Sequence, residues 1–449
     1  MDEIQPSENR IVISAKEKLS FFVVNFGNIP IMTLISGFLL IFYTDVILLD
    51  PGIIAFIFLI TRVIDAFNDP LMGYIIDHLP KMKWGRFRLY IVIGSIFCAI
   101  NYIALWLAPA YATTGKYWIV FISYIILGIT FDLMDIPLNS MIPVMSETGK
   151  TRNALSLIKS LGYTSGAIVF YLITIPLIGG FPTPLMGYTV LIIFTSIFIV
   201  VASFLGTLGI KERIDPIKKE RYNVKEFFKV LAAKPVYTHF LSALLSSIAA
   251  GSGTAALIYF LTYILLDPAL LGLFVIVTVF GNIIGFFIGK PILNKYGKKY
   301  TMVIGSLIGN ITKFFILIAP TDIGLLVLIS LIGSVGGGFG MIVGYGLQAD
   351  NTDYVEWKQG NRAEAAIASL VSFVNKAGLG IGAALVAFIL AITSYVPLTP
   401  PPSAIEGILW SYILIPAMLG LVGGLIILFF YPLTKDKNEE IKLALQERR

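Results

Sequence analysis

Twelve runs of about twenty mostly apolar residues, each closed off by charged or turn-forming ones, organise this 449-residue chain. A helix needs about 20 such residues to cross a hydrocarbon core roughly 30 Å thick, and it satisfies its own backbone while doing so. The runs lie at roughly 19–43, 52–76, 89–109, 117–145, 156–178, 187–209, 236–264, 268–289, 301–319, 322–347, 365–395 and 406–432. Composition agrees: 57% of residues are hydrophobic, 13% are charged and the mean hydropathy is +0.86. A soluble domain carries about 25% charged residues, so an ordinary cytosolic enzyme, a disordered chain and a nucleic-acid binder are excluded. One cysteine, Cys98, and two histidines exclude a disulfide framework and leave too few ligands for a zinc site. The first 18 residues are polar and the apolar run after them is too long for a cleavable signal, so none is expected. The expected fold is an all-α, polytopic membrane protein.

An even number of spans brings both termini to one face. Nearly all of the 33 Lys and Arg residues then share that face. They cluster at Lys81/Lys83/Arg86/Arg88, in the 211–234 loop, at Lys290/Lys295/Lys298/Lys299 and from Lys435 onward. The opposite loops hold Lys116, while Arg62, Lys313 and Lys376 lie inside spans. Positive residues mark the cytoplasmic side, so a multi-pass protein of the cell (inner) membrane with both termini cytoplasmic is expected. The net charge of +6 then reflects topology and contact with anionic membrane lipids. No nucleic-acid partner is needed, and a monomer is expected.

The longest polar loop divides the spans six and six: a bundle over 1–210, a cytoplasmic linker over 211–235 and a second bundle over 236–449. A faint repeat supports the division. Gly73 and Asp77 lead to Gly85-Arg-Phe-Arg88 and then Ile93-Gly94-Ser95; Gly289 leads to Gly297-Lys298-Lys299 and then Ile304-Gly305-Ser306. Two related six-helix halves describe the major facilitator architecture, whose substrate site lies near mid-membrane between them.

Ionisable groups inside spans are costly and mark functional sites by default. Arg62, Asp65 and Asp69 in the second span are spaced i, i+3, i+7, with Asn68 one turn from Asp65, so all four share one helix stripe. Two carboxylates and an amide oxygen offer hard ligands for a small cation; the same pair of acids can instead hold a proton. Alternatively, Arg62 neutralises one acid as a packing bridge. The fourth span carries Asp132 and Asp135, with Asn139 one turn beyond. The eleventh carries Ser372 and Lys376 ahead of Gly378, Gly380 and Gly382, which permit close helix approach. Four acids against Arg62 and Lys376 leave two negative charges, an imbalance too expensive to bury unless protons or metal cations enter. A cation-coupled carrier needs such a site.

The runs Phe42-Tyr-Thr-Asp-Val46, Arg62-Val-Ile-Asp65-Ala-Phe-Asn68-Asp69-Pro70-Leu-Met-Gly73 and Lys83-Trp-Gly-Arg-Phe-Arg88 resemble the glycoside–pentoside–hexuronide:cation symporter family. So do Met134-Asp135-Ile136-Pro137 and the stretch from Asp353-Tyr354 through Arg362 and Glu364 to Lys376. The resemblance implies that Asp65, Asn68 and Asp69 fall on the family's cation site, with Asp65 and Asp69 as sodium ligands if sodium is the ion. It places Asp135 on the principal sugar-binding acid, Ser372 on a hydroxyl-bearing pocket position and Lys376 on the lysine linking the two sites. Arg62 takes the place of the second-span arginine, a coupling or structural charge.

The departures concern substrate. The chain has Ile29 where the family's melibiose carrier has a second sugar-binding acid, and Asn139 for its stacking tryptophan. Asp132 replaces a cation-site threonine, and Lys159 stands near a fifth-span arginine. A third acid beside Asp65 and Asp69 favours protons, whereas the family precedent is sodium; Asn139 and Lys159 favour an acidic ligand such as a hexuronide. The expected protein is therefore a symporter importing a glycoside, pentoside or hexuronide with Na⁺ or H⁺, with no other cofactor. An alternative is a cation-coupled carrier of lysolipid or another non-sugar solute. An enzyme is not expected: no HExxH, GxSxG or Cys/His cluster is present, and the histidines are His78 and His239.

Overall fold

The computed structural model describes residues 13–78, 84–146, 149–214, 229–360 and 363–448. Within those helices, the side chains of 66–67, 69–70, 73–74, 77–78, 149–150, 153, 345, 364–365, 368 and 448 lie outside the description. The described residues are helical almost throughout. In the first half run α1 (Ala15–Leu34), α2 (Pro51–His78), α3 (Arg88–Tyr111), α4 (Lys116–Met145), α5 (Gly149–Gly179) and α6 (Pro184–Gly209). The second half holds α7 (Lys234–Tyr263), α8 (Leu271–Phe314), α9 (Ile323–Gln359), α10 (Glu364–Ile392), α11 (Pro402–Leu409), α12 (Ile415–Phe430) and α13 (Lys435–Arg448). α1 continues through two π-helical turns, Ile35–Leu39 and Phe42–Val46, and a third at Trp410–Leu414 joins α11 to α12 as one span.

Ten of the described helical runs are long and apolar enough to cross a membrane. One of them, Pro268–Ile318, has 51 residues, far more than one crossing uses, and Gly297 inside it is non-helical (φ 80°, ψ 177°). It therefore supplies two spans. With the 28 residues of α2, twelve spans result, as the hydropathy of the sequence leads one to expect.

The repeat is carried by backbone geometry. Gly85 and Gly297 both hold positive φ, 108° and 80°, which favours glycine. Gly94 and Gly305 both let the next span approach. A Cβ at Gly94 would lie 2.7 Å from the Met134 amide nitrogen, and one at Gly305 would lie 2.7 Å from the Gly336 carbonyl oxygen. The basic residues that follow the turns are also matched. Arg88 Nε donates to the Thr207 carbonyl at the end of α6 (2.8 Å), and Lys299 Nζ to the Tyr431 carbonyl just past α12 (2.8 Å). Each places a cation at the negative end of the last span in its half.

The chain forms two compact units. One comprises Met1–Thr33 with Phe67–Lys219, the other Leu34–Ala66 with Glu220–Arg449. The sequence boundaries group residues 34–66 with the first bundle, whereas here they pack with the second. The causes are local: Asp45 bonds to Tyr263 and Tyr395, Gly52 lies against Ala391, and Arg62 lies against Gly380. Of the expected 211–235 linker, 215–228 lie outside the described residues. Its start is anchored, because Arg213 pairs with Glu17 at 2.6 Å and the Arg213 and Ile214 amides donate to the Val144 carbonyl. Glu212 accepts from the amides of Arg86, Phe87 and Arg88 at 2.7–2.9 Å, capping the start of α3.

α13 is amphipathic. Its Ile441 and Leu445 join Val303, Val343, Leu347, Ile427, Tyr431 and Leu433 in one apolar cluster. Asn438 Nδ2 donates to Asp350, whose other carboxylate oxygen accepts from Lys298 at 2.6 Å.

Candidate functional site

Pro137 in α4 has no N–H, so the Leu133 carbonyl loses its intrahelical donor. Gly94 of α3 packs against that carbonyl and the Met134 amide. The close approach falls between Asp132 and Asp135 and sets the depth and rotation at which both are presented.

Asp135 is the hub of one cluster. Its Oδ2 accepts from Asn139 Nδ2 at 2.7 Å and its Oδ1 from Tyr163 Oη at 2.9 Å. Asn139 Oδ1 in turn accepts from Lys159 Nζ, whose ammonium lies 5.1 Å from the centre of the Tyr163 ring. Lys159 and Tyr163 are one turn apart on α5, a helix that leans on α1 through Gly162, against Asn25 and Phe22. The arrangement brings together three residues read from the sequence, Asp135, Asn139 and Lys159. It adds Tyr163, which sequence reasoning missed. The available signal was its i+4 spacing from Lys159. Ile29, at the position of the family's second acid, packs its methyl group on Gly166 of α5, so that wall is apolar.

Asp132 belongs to a different contact. It is 1% exposed, and its Oδ2 accepts from Asn68 Nδ2 of α2 at 3.2 Å. The fourth-span acid thus faces the second-span stripe, while its neighbour three residues on faces α5. Earlier on α2, Arg62 Nη1 bonds Asp65 Oδ2 at 3.0 Å within the helix, so the packing bridge weighed from sequence is present. The side chain of Asp69 lies outside the described residues. Among the described residues, no three Asp, Glu, His or Cys side chains converge in metal-ligand geometry.

Arg62 also lies against Gly380 of α10, one turn beyond Lys376; a Cβ at Gly380 would collide with the guanidinium stem. Gly378 and Gly382 meet Ser247, Ile248 and the Gly251–Ser252 backbone of α7, so these two glycines do allow the helices to close up. Lys376 is partly buried and Ser372, one turn earlier, is exposed. His239 is buried in α7, beside Asn351 Nδ2 at 2.9 Å, and Tyr431 Oη donates to the same Asn351 at 2.9 Å.

Residues 21–435 match the family described as MFS/sugar transport protein. The chain belongs to that family. The transporter is 28% identical to an isoprimeverose transporter from Lactiplantibacillus pentosus, covering 96% of this chain and 91% of the relative. It is 27% identical to a glucuronide carrier protein homolog from Escherichia coli (strain K12), covering 92% of this chain and 91% of the relative. Its fold matches the solved structure of a D-xylose-proton symporter with a TM-score of 0.62 at 15% identity, over 93% of this chain and 97% of that one. The resemblance to glycoside–pentoside–hexuronide:cation symporters thus holds, and the protein is a multi-pass sugar transporter of the major facilitator type, not an enzyme.

Proposed function

We propose that the transporter imports a glycoside, pentoside or hexuronide in symport with Na⁺ or H⁺ by alternating access across the cell membrane, with both termini cytoplasmic. The observation that carries this reading is the Asp135 cluster. A carboxylate held by an amide and a phenol, with an ammonium beside them, can exchange each internal hydrogen bond for one to a sugar hydroxyl. Bonds to the charged acceptor are the stronger ones. The names of the relatives, an isoprimeverose transporter and a glucuronide carrier homolog, support the same substrate class. Lys159 offers a partner for a uronate carboxylate.

Asp65, Asn68, Asp69 and Asp132 are the proposed cation site. Carboxylate and amide oxygens suit a hard ion, and the Asn68–Asp132 bond favours a role for Asp132 there instead of with the sugar. Ion binding would relieve the negative charge near Arg62 and let the loaded protein reorient. Ser372 and Lys376 keep the roles that the family resemblance gives them, as a proposal. The chain is proposed to act as a monomer.

The test is the thermal stability of purified protein with a glycoside and uronide panel, each in Na⁺ and in K⁺ at two pH values. Ligand at 100 times its Kd adds about 2.7 kcal/mol to stability, so a substrate stands out. A shift that grows with Na⁺ or with proton concentration names the ion. Asp135→Asn should abolish the substrate shift. Asp65→Asn should keep binding and lose uphill accumulation in proteoliposomes; intact accumulation would falsify this division of roles. A response to lysolipid with none to any sugar would overturn the substrate class.

A further inference from the structure

The motif Phe42-Tyr-Thr-Asp-Val46 takes no part in the proposed substrate or cation site, yet it builds a polar contact of its own. Asp45 stands in the second π-helical turn of α1. Its carboxylate accepts from Tyr395 Oη at 2.9 Å on both oxygens, from Tyr263 Oη and from Thr44 Oγ1. Thr44 Oγ1 lies 2.7 Å from Tyr259 Oη, and the amide of Leu398 donates to Tyr263 Oη at 3.2 Å. The rings of Tyr259, Tyr263 and Tyr395 enclose the acid, with centroids 5.7–6.5 Å apart. Among the described residues, no Lys, Arg or His bonds to Asp45.

A second observation is independent of these bonds. The non-glycine residues with positive φ among the described residues are Leu48, Leu266, Ser394 and Leu398, at 55–67°. Each lies within three residues of Asp45, Tyr263 or Tyr395. Left-handed backbone is unfavourable for such side chains, and it persists where surrounding contacts over-determine it, often at switching sites. Here all three segments that meet at the acid are wound in this way. π-helical turns likewise concentrate at functional sites.

Resting on the alternating-access reading above, we propose that Asp45 and its three tyrosines are a latch. It joins the ends of α1, α7 and α10 on the face opposite the termini, and its release is required for opening on that face. The chemistry suits a joint that must part. Hydroxyl–carboxylate bonds are strong enough to hold, and on release both partners recover equivalent bonds from water. An ion pair would hold more tightly, and apolar packing would expose surface that water penalises.

Cys98 is the one cysteine of the chain and is fully buried, so introduced thiols report alone. Ala256→Cys places a thiol at a fully buried position one turn before Tyr259 on α7. Maleimide labelling of purified Ala256→Cys, without sugar or added cation, measures opening at the latch. Adding Tyr395→Phe, which removes one phenol and keeps the ring, should raise the labelling rate about tenfold, the scale of one lost charge-assisted bond. Asp45→Asn should raise it at least as much, with substrate-induced thermal shifts retained. Unchanged labelling in Tyr395→Phe, in protein that still unfolds cooperatively, overturns the latch, even if Asp45→Asn does not fold. Because the labelling uses no ligand, absence of any sugar response would count against the symport reading and leave the latch result standing.

Discussion

Tyr163 donates to Asp135 through a single hydroxyl, so removing it tests how far the carboxylate depends on orientation. Tyr163→Phe should keep the fold and weaken substrate binding by about 10- to 100-fold, matching the roughly 1.5–3 kcal/mol of a hydrogen bond to a charged group; titration of the thermal shift measures it. Asp45, two residues past the expected end of the first span, gives a pH signature. Burial pushes its carboxyl above the ordinary value of 3.8, against the opposing pull of the Thr44, Tyr263 and Tyr395 hydroxyls. A raised carboxyl favours the folded state while protonated, so this contribution is complete below the ordinary carboxylate range and is lost as pH climbs through the folded value. Melting temperature against pH should therefore fall more steeply in wild type than in Asp45→Asn, and parallel curves would contradict this. Asp135 and Asn139 were readable as candidates because charge and amide groups stand out in apolar sequence, and Lys159 through the family resemblance. Tyr163 was not, since tyrosine is unremarkable in a span, and only folding reveals which acid its hydroxyl meets.

At the scale of helices, Gly94 seats α3 on the α4 backbone between the two acids. Gly94→Ala drives a methyl group to within 2.7–2.9 Å of Leu133 and Met134 backbone atoms, which cannot yield as a flexible side chain can. Overpacking of this kind costs about 1–3 kcal/mol. The variant should melt lower and also lose substrate affinity, whereas Ser95→Ala, next to it, should lose little of either. The repeat of Gly85/Gly94 in Gly297/Gly305 was visible in sequence only as a faint match of residues. Its meaning, a left-handed turn followed by a close helix approach, came from φ and from distances. The bridge from Arg62 to Asp65 was also legible, because i, i+3 geometry is fixed once a helix forms. The placement of Arg62 on Gly380 was not, since it joins positions more than 300 residues apart.

For the molecule as a whole, helix number followed from hydropathy because lipid leaves the backbone little choice. The association of residues 34–66 with the second half did not follow, because it depends on hydroxyls and glycines whose partners are distant in sequence. The proposed orientation has a direct check. Thr114→Cys, in an exposed loop between α3 and α4, should react with a membrane-impermeant maleimide on intact cells, and Lys442→Cys on α13 only after permeabilisation; the reverse pattern would invert the topology. α13 bears on practical handling as well. Ile441 and Leu445 cover the apolar residues Val303, Val343, Leu347 and Ile427, so a chain cut after Thr434 would display to the cell's quality-control proteases a greasy patch that the complete chain conceals. Affinity tags belong beyond Arg449, where they leave this cover in place, and a yield lost on shortening the tail would reflect degradation, not a missing step of transport.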